Sequence, residues 1–171
     1  MKQLLHHGEN SSKPHAVPTD RKIQEKDIIT IDMGCKINGY CSDMTRTIFV
    51  GGITKEQKEI YDLVLENQKK ALNEISEGAN MKTIFKSVES DFNVNGQTLI
   101  HSLGHGVGLE IHEPPTINAK NDNLLKEKMI ITDEPGIYIA GNFGIRIEDT
   151  VLVTKKGQVS LTESPKECII I

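Results

Sequence analysis

Hydrophobic residues recur at helical spacing in two consecutive segments near the middle of the chain. In residues 54–76 the apolar side chains repeat every three to four positions, and Thr54 with Gln57 forms a capping box at the start. Gly78 follows as a stop signal. A shorter apolar stripe predicts a second helix over residues 81–92.

The regions on either side of these helices are rich in β-branched and other apolar residues, which predict strands. The predicted strands are residues 27–33, 45–50, 129–139, 143–153 and 168–171. The first 26 residues are polar and contain many turn formers, so we expect mostly loop there. The order of strands, two helices and further strands predicts one α+β domain over residues 1–171.

Composition narrows the class of protein. A chain of 171 residues with 37% hydrophobic positions can bury one core of useful size. Its 20 basic and 24 acidic residues give a formal charge of -4, so neither nucleic acid nor an anionic membrane is expected as a partner. No segment approaches the ~18 consecutive apolar residues of a membrane span. Three irregularly placed cysteines are typical of a reducing compartment, and we expect a cytoplasmic protein.

Asn38 and Gly39 lie between two predicted strands and indicate a hairpin with a two-residue turn. In that register Asp32 faces Thr45, and Asp32 shares one face of the hairpin with Asp43. The two aspartates are diagonal neighbours, roughly 5 to 8 Å apart at the backbone. Two like charges at that separation require a cation.

A second hairpin repeats this arrangement farther along the chain. If residues 140–142 form a three-residue loop, Glu134 falls directly opposite Glu148. A single acidic residue on a strand is usually just exposed to solvent. Burying both pairs without a counter-ion would, however, cost many kcal/mol, so their joint occurrence predicts bound cations.

A glycine-rich segment with three histidines, residues 101–113, lies between the two hairpins. Its glycines let the backbone approach a neighbour closely, and an imidazole can supply a nitrogen ligand. Carboxylate and imidazole ligands without thiolate suit manganese, cobalt, zinc or iron, and the two carboxylate pairs balance two divalent ions. A two-metal site activates water, so hydrolysis is the expected reaction class.

These segments resemble the motifs of a known family, the metal-dependent aminopeptidases and prolidases of the pita-bread (creatinase/aminopeptidase) fold. The matching segments are residues 31–34, 40–47, 101–108, 112–115, 132–138 and 144–149, in the family's order. The resemblance implies a curved antiparallel sheet with helices on its outer face. It also implies two divalent metal ions, with Mn2+ as the first expectation and Co2+, Zn2+ or Fe2+ as alternatives.

The resemblance implies a role for each candidate metal ligand. Asp32 would bind one ion, His105 and Glu134 the other, and Asp43 and Glu148 would bridge the two. The pairs that hairpin register brings together are members of this same set.

The resemblance also implies catalytic residues around the ions. His101 and His112 correspond to histidines that hold the substrate carbonyl and stabilise the tetrahedral intermediate, and His15 to one that binds substrate and shuttles a proton. Glu134 is expected to take part in catalysis as well. Arg146 points to the same predicted strand face as Glu148, where it could steady a metal-binding carboxylate or simply be exposed.

The residues flanking the candidate ligands resemble those of the Xaa-Pro branch of the family, whose members cleave the bond between an N-terminal residue and a following proline. We therefore expect an Xaa-Pro aminopeptidase or dipeptidase acting on peptides with proline at the second position. Two alternatives stay open at this stage: a methionine aminopeptidase, and a peptide-binding module of the same fold that has lost catalysis. In such modules the metal ligands are typically replaced, whereas here all five are present.

One departure from the family pattern affects these expectations. The family's catalytic domain begins well before the segment that contains Pro14 and His15, and Xaa-Pro enzymes usually carry a further amino-terminal domain. We therefore expect an N-terminally truncated, partial catalytic domain whose turnover is impaired. Its exposed strand edges could pair with another copy, so a homodimer is a further expectation.

Overall fold

The computed structural model describes residues 4–171, which form thirteen strands, two α-helices and a 3-10 helix at Gly8–Ser12. The strands of the first half are β1 Leu4–His7, β2 Ile28–Met33, β3 Lys36–Ile37, β4 Tyr40–Cys41 and β5 Met44–Phe49. The helices are α1 Lys55–Glu74 and α2 Met81–Val94. The remaining strands are β6 Gly104–Gly106, β7 Glu113–Ile117, β8 Ile130–Asp133, β9 Gly136–Ile139, β10 Phe143–Arg146, β11 Asp149–Thr154, β12 Gly157–Ser160 and β13 Ile169–Ile170.

Two main sheets organise the described residues. The four-stranded sheet has the order β1-β2-β5-β13, and the five-stranded sheet has the order β12-β11-β8-β6-β7. Two small ribbons, β3-β4 and β9-β10, extend the hairpins. An isolated antiparallel bridge between Thr45 and Glu148 connects the four-stranded sheet to the segment between β10 and β11. The two candidate carboxylate pairs therefore come from different hairpins, which meet at this bridge.

The first predicted hairpin is confirmed, including its register. Asn38 and Gly39 both have positive φ angles, 51° and 89°, as a two-residue turn of this type requires. Asp32 pairs with Thr45 as expected. The hydrogen-bonded ladder is interrupted between the β2–β5 pair and the β3–β4 pair, and Asp43 lies in that interruption.

The second hairpin also has the predicted register on both sides of a break. Phe143 pairs with Ile139 near the loop, and Asp149 pairs with Asp133 beyond the break. The expectation of two long, continuous strands was wrong, because Pro135 follows Glu134 and cannot donate a ladder hydrogen bond. The break falls at Glu134 and Glu148, whose side chains turn towards a pocket instead of lying in a regular sheet.

Both predicted helices are present and cover the outer face of the sheets. The capping box of Thr54 and Gln57 is formed in both directions, and α2 continues two residues beyond its predicted end. The buried faces of the helices, which include Tyr61, Val64 and Phe92, pack in one core with apolar side chains of the strands. Neither helix in residues 4–171 has the length and apolar character that crossing a membrane requires.

Several expectations about secondary structure need correction. Of the first 26 residues, those after Ser12 are mostly loop as predicted, but Leu4–His7 forms strand β1 on the edge of β2. Residues 1–3 lie outside the described part. Strands β6, β7 and β12 were not predicted, because they contain glycine or proline residues, which have low strand propensity. In the case of β6, Gly104 allows an approach to β8 so close that a Cβ atom would lie 2.0 Å from the carbonyl oxygen of Thr132.

Candidate metal centre

A pocket of about 210 Å³ opens where the two sheets meet. The residues that line it are His15, Asp32, Gly34, Asp43, His105, Ile111, His112, Glu134, Arg146 and Glu148. His101 lies in the wall of an adjoining cavity of about 160 Å³, which shares His15, His105, His112, Glu134 and Arg146 with the first pocket. Every site residue that the sequence singled out therefore lies in these two connected spaces.

The candidate ligand atoms lie close together in three overlapping groups. Oxygens of Asp32, Asp43 and Glu148 lie within 4.8 Å of one another, and so do ligand atoms of His105, Glu134 and Glu148. The third group joins Asp43, His105 and the neighbouring His112. Asp43 and Glu148 each belong to two groups, so these two carboxylates link the Asp32 side of the pocket to the His105 side.

His105 is oriented with one ring nitrogen towards this cluster. Its Nδ1 lies 3.0 Å from the carbonyl oxygen of Gly106, which can only accept, so Nδ1 carries the proton of the neutral ring. Nε2 then presents its lone pair at 3.3 Å from Glu134 Oε1 and 3.7 Å from Asp43 Oδ2. This is the arrangement in which a histidine binds a cation, with its second nitrogen fixed by a backbone acceptor.

Arg146 is 4% exposed and does not face solvent. Its Nη2 donates to Asp32 Oδ2 over 2.7 Å, so the carboxylate that it steadies directly belongs to the opposite hairpin. Its Nη1 also donates to the carbonyl oxygen of Pro14 over 3.2 Å, which anchors the loop that carries His15. The arginine thus contacts two residues that each lie more than a hundred positions before it in the chain.

Tyr138 connects Arg146 to His101. Arg146 Nη1 donates to the Tyr138 hydroxyl over 3.0 Å. The hydroxyl lies 3.1 Å from His101 Nε2, while His101 Nδ1 lies 2.8 Å from the carbonyl oxygen of Ser102. Nδ1 therefore carries the proton of the neutral ring, and the Tyr138 hydroxyl donates to Nε2.

Thr45 is a functional contact that sequence reasoning missed. Its hydroxyl donates to Glu148 Oε2 over 2.6 Å and accepts from Arg146 Nε over 3.1 Å. Within residues 4–171, the hydrogen-bonded path from the Arg146 side chain to the Glu148 carboxylate therefore runs through the Thr45 hydroxyl. The signal was available, because the predicted register of the first hairpin places Thr45 opposite Asp32.

Comparison with known proteins identifies the family. The model of the metallopeptidase family M24 matches residues 2–155. The Xaa-Pro dipeptidase of Pyrococcus furiosus is 45% identical over 169 residues, which cover 97% of this chain and 48% of that protein. The chain belongs to the metallopeptidase family M24.

Solved structures of M24 relatives share the fold. A recombinant prolidase from Thermococcus sibiricus superimposes with a TM-score of 0.97 at 38% identity, covering 100% of this chain and 47% of that chain. An X-Pro aminopeptidase from Thermotoga maritima gives 0.96 at 36% identity, with 100% and 49% coverage. The expected α+β pita-bread fold is confirmed, and the chain spans about half the length of the curated relatives it matches.

Membership in M24 implies divalent metal ions, and the charge distribution of the pocket fits them. Burial raises the pKa of Asp43 to about 7, with Asp32 and Glu134 adding to the effect. Burial and the charge of Asp43 raise the pKa of Glu148 to about 8, and burial next to Glu148 raises that of Glu134 well above its usual range. These carboxylates crowd together without enough positive charge, and a hard or borderline cation is the partner such oxygen and imidazole donors select.

A larger groove of about 910 Å³ lies elsewhere on the surface, beside Pro114 and Pro115. No histidine, cysteine or acidic residue is among the described residues that line it. The smaller pocket, which contains the carboxylates and histidines, is therefore the candidate site of chemistry.

Proposed function

We propose that this M24 protein hydrolyses the peptide bond between an N-terminal residue and a following proline, using two divalent metal ions. The observation that carries the proposal is the meeting of Asp32, Asp43, Glu134, Glu148 and His105 in one largely buried pocket. An Xaa-Pro dipeptidase and an X-Pro aminopeptidase among the relatives support the substrate class. The chain spans about half of each, so its own activity is part of the proposal.

In this proposal the metal ligands divide between the two sheets. Asp32 would hold one ion, His105 and Glu134 would hold the other, and Asp43 and Glu148 would supply carboxylate oxygens to both. Ions bound there would polarise the substrate carbonyl and lower the pKa of a water molecule towards neutrality. Mn2+ is our first choice of metal, because an oxygen-rich donor set with one imidazole suits it, and Co2+, Zn2+ and Fe2+ fit the same donors.

The chain's own groups would handle substrate and proton around the ions. Glu134 is the group we propose to take a proton from the attacking water and deliver it to the proline nitrogen. His15 and His112 lie at the exposed mouth of the pocket, where each can donate to a substrate carbonyl. Burial lowers the pKa of His101 to about 4, so this ring stays neutral and keeps the orientation that Tyr138 gives it.

The adjoining cavity is where we place the proline ring. Its wall includes Pro14 and His101, and it opens into the pocket of the carboxylates through shared residues. A ring seated there would leave the preceding peptide bond at Glu134 and His105. We also propose that the protein works in the cytoplasm, since its three cysteines are free thiols that suit a reducing compartment.

The proposal is tested with metal-free protein to which Mn2+ is returned. We expect release of alanine from Ala-Pro and Ala-Pro-Ala only after Mn2+ addition, and no release of methionine from Met-Ala-Ala. Asp43→Ala should abolish cleavage and one equivalent of bound metal, whereas Asp62→Ala, on the exposed face of α1, should leave both unchanged. Cleavage of Met-Ala-Ala without cleavage before proline would replace this proposal by methionine aminopeptidase activity, and absence of metal binding at micromolar concentrations would favour a binding module.

A further inference from the structure

Arg46 lies behind the candidate metal centre and is 5% exposed, but it does not line the pocket. A guanidinium has five N–H donors, and here each has an acceptor. Nη1 donates to the carbonyl oxygens of Thr45 (2.8 Å) and Glu148 (2.6 Å), Nη2 to Asp149 Oδ1 (2.7 Å) and the Ser164 carbonyl (2.8 Å), and Nε to the Pro165 carbonyl (3.0 Å). So complete a use of donors holds the side chain in one orientation.

Two of these bonds fix the position of Glu148 relative to the other sheet. The backbone N–H of Glu148 donates to the Thr45 carbonyl over 3.1 Å, and Glu148 Oε2 accepts from the Thr45 hydroxyl. Arg46 binds the carbonyl oxygens of both residues from behind. It therefore braces the isolated bridge between Thr45 and Glu148, whose carboxylate belongs to two of the candidate ligand groups.

Lys166 provides a natural comparison, because it neutralises the same buried partner. Its Nζ lies 2.7 Å from Asp149 Oδ2, and Arg46 Nη2 lies 2.7 Å from Asp149 Oδ1. Within residues 4–171, Lys166 Nζ donates to Asp149 and Gln68 and not to Thr45 or Glu148. Both cations thus neutralise Asp149, but of the two only Arg46 also binds the residues of the bridge, Thr45 and Glu148.

We propose that Arg46 is a positioning residue for the metal centre: it fixes Glu148 between the two groups of ligands and thereby sets the affinity for the divalent ions. The inference rests on the proposed metal-dependent function. It requires the arrangement of the five donors as well as the positive charge. A lysine, with three donors on a flexible stem, replaces it only in part.

The test compares Mn2+ binding by metal-free wild-type protein, Arg46→Met, Arg46→Lys and Lys166→Met, measured by calorimetry and by electron paramagnetic resonance of the bound ion. Arg46→Met should lower the Mn2+ affinity by about 10- to 100-fold, the usual effect of losing a group that orients a ligand. Arg46→Lys should restore part of it. Lys166→Met should keep the wild-type Mn2+ affinity, although it also removes a positive charge that is paired with Asp149. Circular dichroism of each variant is the check on folding.

Equal Mn2+ affinity in Arg46→Met and wild type would overturn the inference. So would an equal loss in Arg46→Met and Lys166→Met, because the charge on Asp149 would then explain the effect. If Arg46→Met does not fold, the comparison of Arg46→Lys with Lys166→Met decides by the same criteria. Failure of the wild-type protein itself to bind Mn2+ would remove the proposed function and the inference with it, and this result differs from loss in the variant alone.

Discussion

Asp133 faces Asp149 across strands β8 and β11, and the two carboxyl groups have opposite surroundings. Asp149 accepts hydrogen bonds from the side chains of Arg46, Gln68, Thr162 and Lys166. Both oxygens of Asp133 are buried and have no hydrogen-bond partner among the described residues. Burial and the neighbouring Asp149 raise the pKa of Asp133 well above its usual range. A buried acid without a partner lowers the stability of the fold whenever it ionises.

Replacing this acid should stabilise the protein. We expect Asp133→Val to raise the free energy of unfolding by about 1 to 3 kcal/mol at pH 7.5, the range for removing an unsatisfied buried polar group. The folded-state pKa is raised, so the wild-type protein loses stability as pH rises above the unfolded value, and the gain from Val should shrink towards pH 4. Urea unfolding of the wild type and the variant at pH 7.5 and pH 4 measures this difference in unfolding free energy. Asp133→Asn, which removes the charge but leaves unpaired polar atoms, should gain less, and a Val variant less stable at both pH values would contradict the prediction.

Metal binding should depend strongly on pH. The raised pKa values of Asp43 (about 7) and Glu148 (about 8) mean that protons occupy these carboxyls in the metal-free protein at pH 6 and compete with the cation. We expect the apparent Mn2+ affinity to rise between pH 6 and pH 8.5, by up to about tenfold per pH unit for each carboxyl still protonated. Calorimetry in buffers of different ionisation enthalpy should detect the released protons. An affinity that is the same at both ends of this range would contradict the assignment of these two groups as ligands.

The Tyr138 hydroxyl should matter for turnover and not for metal binding. Tyr138→Phe removes the group that accepts from Arg146 and donates to His101, so the imidazole loses its fixed orientation beside the pocket. We expect kcat/KM for Ala-Pro to fall about 10- to 100-fold while the Mn2+ affinity stays unchanged. Tyr40→Phe, at a side chain that is 64% exposed, is the control and should behave like wild type. Unchanged turnover in Tyr138→Phe would show that the hydroxyl only packs.

The close approach at Gly104 should tolerate no side chain. A Cβ atom there would lie 2.0 Å from the Thr132 carbonyl oxygen, so Gly104→Ala has to push β6 away from β8 and move the adjacent His105. We expect a loss of about 3 kcal/mol in unfolding free energy and weaker Mn2+ binding. Gly52→Ala is the matched control, because a Cβ atom at Gly52 meets nothing within 4 Å. Similar unfolding curves for the two variants would rule out the steric argument.

Turn chemistry made the register of both hairpins predictable. Asn38 and Gly39 accept the positive φ angles of a two-residue turn, and that turn leaves a single register in which Asp32 meets Thr45. The same reasoning brought Glu134 to the level of Glu148, because the ladder keeps its register on both sides of the break. Local rules sufficed wherever the partners belonged to one hairpin.

Contacts between hairpins could not be derived in this way. Arg46 and Asp149 are separated by 103 positions, and no local pattern indicates that they meet. Family resemblance alone assigned His15 to the site, and in the structure Arg146 holds the loop of His15 at Pro14. Strand β6 was missed for a related reason: its glycines have low strand propensity, and it is the approach to β8 that stabilises it.

The bridge between Thr45 and Glu148 has a mechanical consequence. It is a single antiparallel pairing at the seam between two sheets, with Asp32 on one side and His105 on the other. An ion bound by residues on both sides would hold the two sheets together at this contact. Local opening of one sheet would then be coupled to opening of the other. Loss of the ion would then weaken the contact between the sheets before either sheet unfolds. The stability of the whole domain should therefore depend on how fully the metal centre is occupied.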